Sequence, residues 1–290
     1  MSMSHGDPRP IGVFDSGVGG LTVARALMDL LPDERLVYLG DTARGPYGPR
    51  PLGEVRRFTR EIVGWLAAQD VKLAVAACNT ATAAAVETDP IQSPVPLVGV
   101  VRPAVAAAAR ATRSGRIGVI GTVGTIGSGA YDRAMAAIAP DVDLVSQACP
   151  GFVELAEGGR TTDAEVREIA RSTLAPLQAR GVDTLILGCT HYPLLTGVLS
   201  YVMGGDVILV SSAEETARSV FRRLVDDGLD ARRDPAAPAP GAAHRFAVTG
   251  DGRAFARLAT RFLGPRLPGV GDPTAQVEPS ILLAREEASA

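Results

Sequence analysis

The sequence predicts an α/β fold of two pseudo-symmetric lobes, each a mostly parallel sheet flanked by helices, with the active site in the cleft between them. Short apolar segments alternate with helical patterns along the chain, which is typical of a parallel sheet covered by helices. The length of 290 residues suits two lobes of ordinary size. Two segments of the first half also recur in the second half, which indicates an internal repeat.

The composition is that of a globular protein, with 46% hydrophobic residues, 21% charged residues and a net charge of −3. The chain has no run rich in Lys or Arg, so it lacks the charge pattern of a nucleic-acid-binding protein. It also has no apolar run long enough to span a membrane, and residues 1–10 do not resemble a secretion signal. We therefore expect a cytoplasmic protein whose three cysteines are free thiols.

The first part of the chain reads as strand, turn and helix in sequence. Residues 11–14 form an apolar segment, residues 15–20 contain three glycines and two polar residues, and apolar positions then repeat at helical spacing up to Leu31. Residues 36–39 predict a second strand. Residues 40–49 are rich in Gly and Pro, so they predict a loop.

The next elements lead to the first cysteine of interest. Residues 56–65 carry arginines on one face and apolar side chains on another, which predicts a helix packed against the sheet. The apolar segment 73–77 predicts a strand that ends at Cys78.

The pattern then appears a second time. Residues 116–126 resemble residues 10–20, and residues 182–190 resemble residues 71–79. Cys189 therefore occupies the same place in the second unit as Cys78 in the first. A chance similarity between two pairs of apolar strands is the alternative explanation.

The remaining part of the chain continues the alternation. Residues 207–210 predict a strand that is followed by a helix, and residues 234–241 are rich in Pro and Ala, as in a flexible connector. The strand predicted at 246–249 and the helix after it can add to one of the lobes. The tails 1–9 and 266–290 are expected to be mobile from their composition.

Three polar clusters come directly after apolar strands, where open α/β sheets bind their ligands. These clusters are residues 15–16, 78–80 and 189–191. If the two units face each other, Cys78 and Cys189 approach a ligand from opposite sides. Such a pair suits racemisation, because one thiolate can remove a proton from a carbon while the other thiol returns a proton to the opposite face.

The neighbouring side chains can assist this chemistry. Asp15 can accept a proton on the Cys78 side, and His191, with an acidic residue, can do so on the Cys189 side. Substrate carboxylates can be held by hydroxyl and amide groups and by backbone N–H groups at helix starts. The side chains available for this are those of Ser16, Asn79, Thr80 and Thr190.

Other interpretations remain open for the same residues. A buried cysteine is usually an inert apolar residue, which we favour for Cys149 and leave open for Cys78 and Cys189 taken singly. His191 alone could be a structural polar residue, and residues 15–21 could bind phosphate, although they lack the Lys-Ser/Thr of a P-loop. We expect no metal, since the chain has only three histidines. We also expect no pyridoxal phosphate or other cofactor, since the single lysine, Lys72, opens an apolar strand.

Five motifs, in order along the chain, give a resemblance to a known family. They are Asp15-Ser-Gly-Val-Gly-Gly-Leu21, Gly40-Asp41, Pro46-Tyr-Gly48, Ala77-Cys-Asn-Thr-Ala81 and Gly188-Cys-Thr-His-Tyr-Pro193. Over residues 10–265 the chain resembles the glutamate racemases, cofactor-independent enzymes that supply D-glutamate for peptidoglycan. Aspartate racemases share the two-thiol plan but usually lack the Thr-His-Tyr-Pro segment.

The resemblance implies a role for each matching residue. Cys78 and Cys189 match the two proton donors and acceptors, and Asp15 and His191 match residues that assist the thiols. Substrate contacts are implied for Asp15, Ser16, Tyr47, Gly48, Asn79, Thr80, Thr190 and His191. The auxiliary acid of the family maps to Glu157, with Glu154 as the alternative. Arg44 departs from the common form of its loop; it could bind an acidic side chain or be solvated, and we expect solvation.

The resemblance also implies how the chain divides into lobes and which partners it has. The first lobe would comprise residues 10–100 together with 207–265, and the second would comprise residues 101–206. Family members are often homodimers and bind the small molecule glutamate. We expect no membrane partner for this chain. Some members bind DNA gyrase, which nothing in this sequence supports.

Three rival functions follow from the same residues. The first is an aspartate racemase or a thiol-based decarboxylase, which a panel of substrates would separate. The second is a protein that binds an amino acid without reacting with it. The third is a Cys-His hydrolase, although Cys189 and His191 are too close in sequence to specify that geometry by themselves.

Overall fold

The computed structural model describes residues 6–231 and 244–264, with the backbone of 275–276. The predicted connector 234–241 lies outside the described residues, as do most of the tails predicted to be mobile. Residues 6–9 of the first tail are described. The carbonyl of Asp7 accepts a hydrogen bond of 2.9 Å from Nζ of Lys72.

The described residues form two separate parallel sheets with helices packed on their faces. The first sheet has the strand order β10-β9-β2-β1-β3-β4, and the second has the order β6-β5-β7-β8. All described strand pairs in both sheets are parallel. The predicted fold class, two α/β lobes built on parallel sheets, is therefore confirmed.

The strands are short, and the central ones are fully buried. Their bounds are β1 (Ile11–Asp15), β2 (Leu36–Gly40), β3 (Leu73–Ala76), β4 (Leu97–Gly99), β5 (Arg116–Gly121), β6 (Asp143–Ala148), β7 (Thr184–Gly188), β8 (Ile208–Ser211), β9 (Arg245–Val248) and β10 (Ala275–Gln276).

The helices connect successive strands, and their apolar faces cover the sheets. Their bounds are α1 (Leu21–Leu30), α2 (Leu52–Ala67), α3 (Asn79–Thr82), α4 (Val101–Ala111), α5 (Val123–Gly127), α6 (Ala130–Ile138), α7 (Phe152–Glu157), α8 (Ala164–Ala179), α9 (Thr196–Met203), α10 (Ser212–Asp226) and α11 (Gly252–Leu263). A π-helical segment, Ala83–Thr88, follows α3, and a 3₁₀ turn, Tyr192–Leu195, precedes α9.

The internal repeat seen in the sequence is also present in the pairing of the strands. Ile11 of β1 pairs with Leu73 of β3, and at the corresponding positions Ile117 of β5 pairs with Thr184 of β7. The central strand of each sheet thus has the cysteine-bearing strand on the same side and in the same register. Cys78 and Cys189 therefore leave their two sheets at equivalent points.

One predicted boundary differs in the structure. Residues 207–265 were assigned together to the first lobe, but β8 pairs with β7 in the second sheet. The reason is that β7 is buried along its whole length, so the peptide groups on its outer edge need a partner strand. The chain returns to the first sheet only with β9, which pairs with β2. We propose to place the boundary between the lobes after β8.

The single lysine of the chain is held by polar contacts inside the first lobe. Lys72 is buried and its Nζ lies 2.6 Å from a carboxylate oxygen of Glu34. The same atom donates to the carbonyl of Leu229 at 2.7 Å. The charge of Lys72 is thus neutralised inside the first lobe, away from the cavity described below.

None of the helices in the described part of the chain combines the length and the apolar character that crossing a membrane requires.

Candidate active site

The polar clusters that follow β1, β3 and β7 meet at one cavity. Its volume is about 580 Å³, and both lobes contribute to its wall. From the residues predicted as site residues, the wall includes Ser16, Tyr47, Gly48, Cys78, Asn79, Thr80, Glu157, Cys189, Thr190 and His191. The carboxyl ends of the two sheets therefore face each other across one space.

Cys78 is the thiol that the first lobe contributes. It is buried and lies at the beginning of α3, with its Sγ 3.9 Å from Oγ of Ser16. Burial, followed by the negative charge of Asp15, raises the pKa of this thiol to about 12. Cys78 is therefore protonated at neutral pH.

Cys189 is the thiol that the second lobe contributes, and it stands next to a hydrogen-bonded pair. Its Sγ lies 3.7 Å from Nδ1 of His191, and Nε2 of His191 lies 2.9 Å from Oε1 of Glu157. Burial alone would lower the pKa of His191, but hydrogen bonds to Cys189 and Glu157 raise it to about 10. His191 is thus protonated at neutral pH, and its positive charge lies beside Cys189 while Glu157 stabilises it from the other side of the ring.

Asp15 lies at the end of β1, beside the cavity wall, and is completely buried. Its Oδ2 accepts a hydrogen bond of 3.0 Å from the backbone N–H of Gly17, whereas Oδ1 has no partner in the described residues. Burial raises the pKa of this carboxyl, against the opposing effect of charge on His191. Asp15 acts on Cys78 through its charge, since no hydrogen bond joins the two among the described residues.

The two lobes touch through hydroxyl groups next to Cys78. Oγ1 of Thr80 lies 3.1 Å from Oγ1 of Thr122 and 3.0 Å from Oγ1 of Thr125, both in the second lobe. On the opposite side, Oγ1 of Thr22 donates to the carbonyl of Thr190 at 3.1 Å. These contacts hold each cysteine-bearing segment against the other lobe.

Several predicted substrate contacts already have protein partners. The hydroxyl of Tyr47 donates to Asp41, and the carbonyl of Gly48 accepts a bond of 2.9 Å from the N–H of Gly124. Oγ1 of Thr190 lies 3.5 Å from Nδ1 of His191. The polar atoms of Tyr47 and Gly48 thus help to shape the cavity wall, and their contact with a substrate stays a prediction.

The expectation from the sequence that Arg44 is solvated is wrong. Its side chain is only 14% exposed and forms ion pairs with the buried carboxylates of Asp41 and Glu61. The guanidinium also stacks 4.2 Å above the ring centroid of Phe58. A cation is needed beside two buried carboxylates. Because Asp41 and Glu61 lie on separate segments of the chain, the sequence alone does not show that they share one partner.

Helix α11 adds residues to the cavity that the sequence did not reveal. Asp251, which caps the helix, lines the cavity with Ala254, Phe255 and Leu258. Further along, Arg261 donates to the carbonyl of Glu157. The ring of Phe262 meets His191 edge to face at 5.6 Å. No local pattern in α11 points to the cavity, because these contacts arise only when β9 joins the first sheet.

Thr122 and Tyr131 are two further residues of the site that the sequence did not reveal. Thr122 lines the cavity at the position that matches Ser16 in the internal repeat, so the repeat itself carried a signal for it. Tyr131 donates from its hydroxyl to Oδ1 of Asn79 at 2.6 Å. Cys149 is buried and lines the cavity, and burial raises its pKa to about 12.

The charge of the cavity wall is unusual for a site that would hold carboxylates. Among the described residues that line it, none is Lys or Arg, and His191 is the only group able to carry a positive charge. The described ranges also contain no group of three or more His, Cys, Asp or Glu side chains arranged as metal ligands. Anions in this cavity must therefore be held mainly by neutral hydrogen-bond donors.

The fold and the site together define a class of protein: two pseudo-symmetric parallel α/β lobes, each presenting a thiol to a shared cavity. A sequence model of the Asp/Glu/Hydantoin racemase family matches residues 21–220, and the chain belongs to this family. The chain is 57% identical over 261 residues to a glutamate racemase from Parafrankia sp. (strain EAN1pec), an alignment that covers 90% of this chain and 93% of the relative.

Solved structures agree with this membership. A glutamate racemase isoform from Bacillus anthracis superposes with a TM-score of 0.83 at 42% identity, covering 90% of this chain and 96% of that one. A glutamate racemase from Francisella tularensis in complex with D-glutamate gives a TM-score of 0.82 at 31% identity, covering 91% and 96%.

Proposed function

We propose that this protein interconverts L- and D-glutamate by proton transfer at Cα, with one thiol on each side of the substrate. One observation carries the proposal: Cys78 and Cys189 occupy equivalent positions of the two sheets and line one cavity. The names of the similar proteins, glutamate racemase in each case, favour glutamate as the substrate.

The environments of the two thiols suggest how one direction of the reaction begins. His191 holds its proton at neutral pH, and this imidazolium, hydrogen-bonded to Glu157, stabilises a thiolate on Cys189. The Cys189 thiolate then removes the proton from Cα of the substrate. Because burial and Asp15 keep Cys78 protonated, its thiol returns a proton to Cα from the opposite face.

The proton count balances without any redox step. One C–H bond breaks toward Cys189 and one C–H bond forms from Cys78, so the two cysteines exchange protonation states. The reverse reaction uses the same groups with their roles interchanged. In that direction the negative charge of Asp15 disfavours the Cys78 thiolate and so makes it a stronger base, whereas the positive charge of His191 stabilises the Cys189 thiolate.

The substrate carboxylates are bound by neutral donors in this proposal. Asn79 and the hydroxyls of Ser16, Thr80 and Thr190 line the cavity near the thiols. Exclusion of water strengthens such fixed dipoles against the charge that develops at Cα and its carboxylate. From the resemblance, we further propose that the product D-glutamate serves peptidoglycan synthesis in the cytoplasm and that the protein is a homodimer.

Incubation with L-glutamate in deuterated water tests the proposal. Under reducing conditions we expect deuterium at Cα and loss of optical rotation. Cys78→Ala and Cys189→Ala should each abolish racemisation, whereas Cys149→Ala, a control for the third buried thiol, should retain it. Thermal stabilisation by glutamate without any exchange would instead identify a binding protein.

A further inference from the structure

Tyr131 joins the two lobes at the site through a side chain that the proposed reaction does not use. It lies on α6 in the second lobe, and its hydroxyl is 2.6 Å from Oδ1 of Asn79 in the first lobe. The residue is almost completely buried. Burial also raises the pKa of the Tyr131 hydroxyl, so it remains protonated and available as a donor.

With this hydrogen bond in place, Nδ2 is the free end of the Asn79 amide. Because Oδ1 accepts from Tyr131, the Nδ2 group is directed away from that contact, and it has no partner among the described residues although it is buried. A buried donor without a partner is costly. Asn79 lines the cavity, so a bound ligand can supply the missing acceptor.

The absence of Lys and Arg from the described cavity wall makes the orientation of this amide important. With Nδ2 free, Asn79 presents a donor to a carboxylate. If the amide were turned by half a rotation, Oδ1 would face the carboxylate and repel it. With Tyr131 donating to Oδ1, the attractive end of the amide faces the carboxylate.

The ring of Tyr131 also touches the other cysteine-bearing segment. It packs against Gly188, the residue before Cys189, where a Cβ atom would come within 3.2 Å of Cε2 of Tyr131. One side chain thus contacts the residue that precedes Cys189 and the residue that follows Cys78.

We propose that Tyr131 is a positioning residue, which orients the Asn79 amide so that Nδ2 donates to a carboxylate of the substrate, and which does so across the two lobes. This inference rests on the proposed function for the identity of the substrate. It adds a residue that acts only through Asn79 and does not touch the substrate itself.

The variant Tyr131→Phe removes the hydroxyl and keeps the ring. We expect KM for both enantiomers to rise about fivefold to tenfold, the size expected for the loss of one hydrogen bond between neutral groups. The kcat value should change little, since the amide binds the substrate and the transition state alike. In an Asn79→Ala background, the same change should leave KM unaltered, because the residue through which Tyr131 acts is missing.

Tyr192→Phe is the matched control. Tyr192 is also buried, and its hydroxyl donates to a backbone carbonyl, that of Cys149, at 3.3 Å. We expect this variant to lower thermal stability while KM is retained. If Tyr131→Phe leaves KM within about twofold of the wild type, or raises it equally when Asn79 is alanine, the inference is wrong.

A measurement on the wild-type protein tests the inference even if the variant does not fold. The side-chain amide resonance of Asn79, assigned by its loss in Asn79→Ala, should shift on titration with D-glutamate. An unchanged resonance at saturation would overturn the inference. This titration needs only binding, so its result does not depend on catalysis. The proposed function fails separately, if the wild-type protein binds glutamate but exchanges no deuterium at Cα.

Discussion

His191 and Glu157 form a hydrogen-bonded pair in which Nε2 of the imidazole lies 2.9 Å from Oε1 of the carboxylate. His191 follows β7, whereas Glu157 ends α7, and Arg261 of α11 holds the carbonyl of Glu157. The other candidate acid, Glu154, also lines the cavity. The contact with His191 favours Glu157 as the auxiliary acid.

Replacement of Glu157 by glutamine should lower the pKa of His191 from its value of about 10. The carboxylate stabilises the positively charged imidazolium, so its loss favours the neutral form and moves the pKa downward. We expect kcat to fall about ten- to hundredfold. NMR titration of the His191 ring and steady-state kinetics measure the two effects. Glu154→Gln is the comparison, and an equal or larger effect of that variant would reverse the assignment.

Alkylation of Cys78 should reveal its raised pKa. In a protein carrying Cys149→Ser and Cys189→Ser, the rate of reaction with iodoacetamide should increase about tenfold per pH unit between pH 7 and about pH 9.5, since only the thiolate reacts. The pKa of about 12 places the plateau beyond this range. A plateau near pH 8.5, the ordinary value for a cysteine, would contradict the environment described for Cys78.

Removal of Arg44 should destabilise the first lobe. Arg44→Ala leaves the buried carboxylates of Asp41 and Glu61 without their closest cation, and we expect a loss of about 3 to 5 kcal/mol in the free energy of unfolding. Arg57→Ala is the control, because Arg57 is 54% exposed and lies 3.7 Å from Glu61. It should cost less than about 1 kcal/mol. Urea unfolding distinguishes the two, and equal losses would show that Arg44 has no special role.

The close approach of the lobes at Gly124 can be tested with two substitutions in the same helix. A Cβ atom on Gly124 would lie 2.6 Å from the carbonyl oxygen of Gly48, whereas a Cβ atom on Gly127 meets nothing within 4 Å. Gly124→Ala should separate the lobes beside Thr80 and lower kcat/KM about a hundredfold, as expected for a displaced site. Gly127→Ala should have little effect. Comparable activity of the two variants would exclude a requirement for this contact.

Much of the fold followed from local patterns in the sequence. The central strands are continuous apolar segments because both faces of each sheet are covered, and the repeat located Cys78 and Cys189 at equivalent places. Strand β6 was harder to find, since it carries Ser146 and Gln147 and is only partly buried. Strand β4 has three residues, too few for a periodic pattern.

The site was predictable where residues adjoin a strand and less so where distant segments meet. The segments at Asp15, Cys78 and Cys189 each carry polar groups directly after apolar ones. Tyr131, by contrast, lies within an ordinary amphipathic helix, and its relation to Asn79 depends on how the lobes are packed. The same holds for Arg44, whose partners lie in a loop and in another helix.

The position of β9 has a consequence for how this chain is made. The second sheet is built from one uninterrupted stretch, from Arg116 in β5 to Ser211 in β8, so all its strands leave the ribosome close together. Strand β2 acquires its outer neighbour only when β9 emerges, about two hundred residues later. During translation the second lobe can therefore fold while the outer edge of β2 is still unpaired.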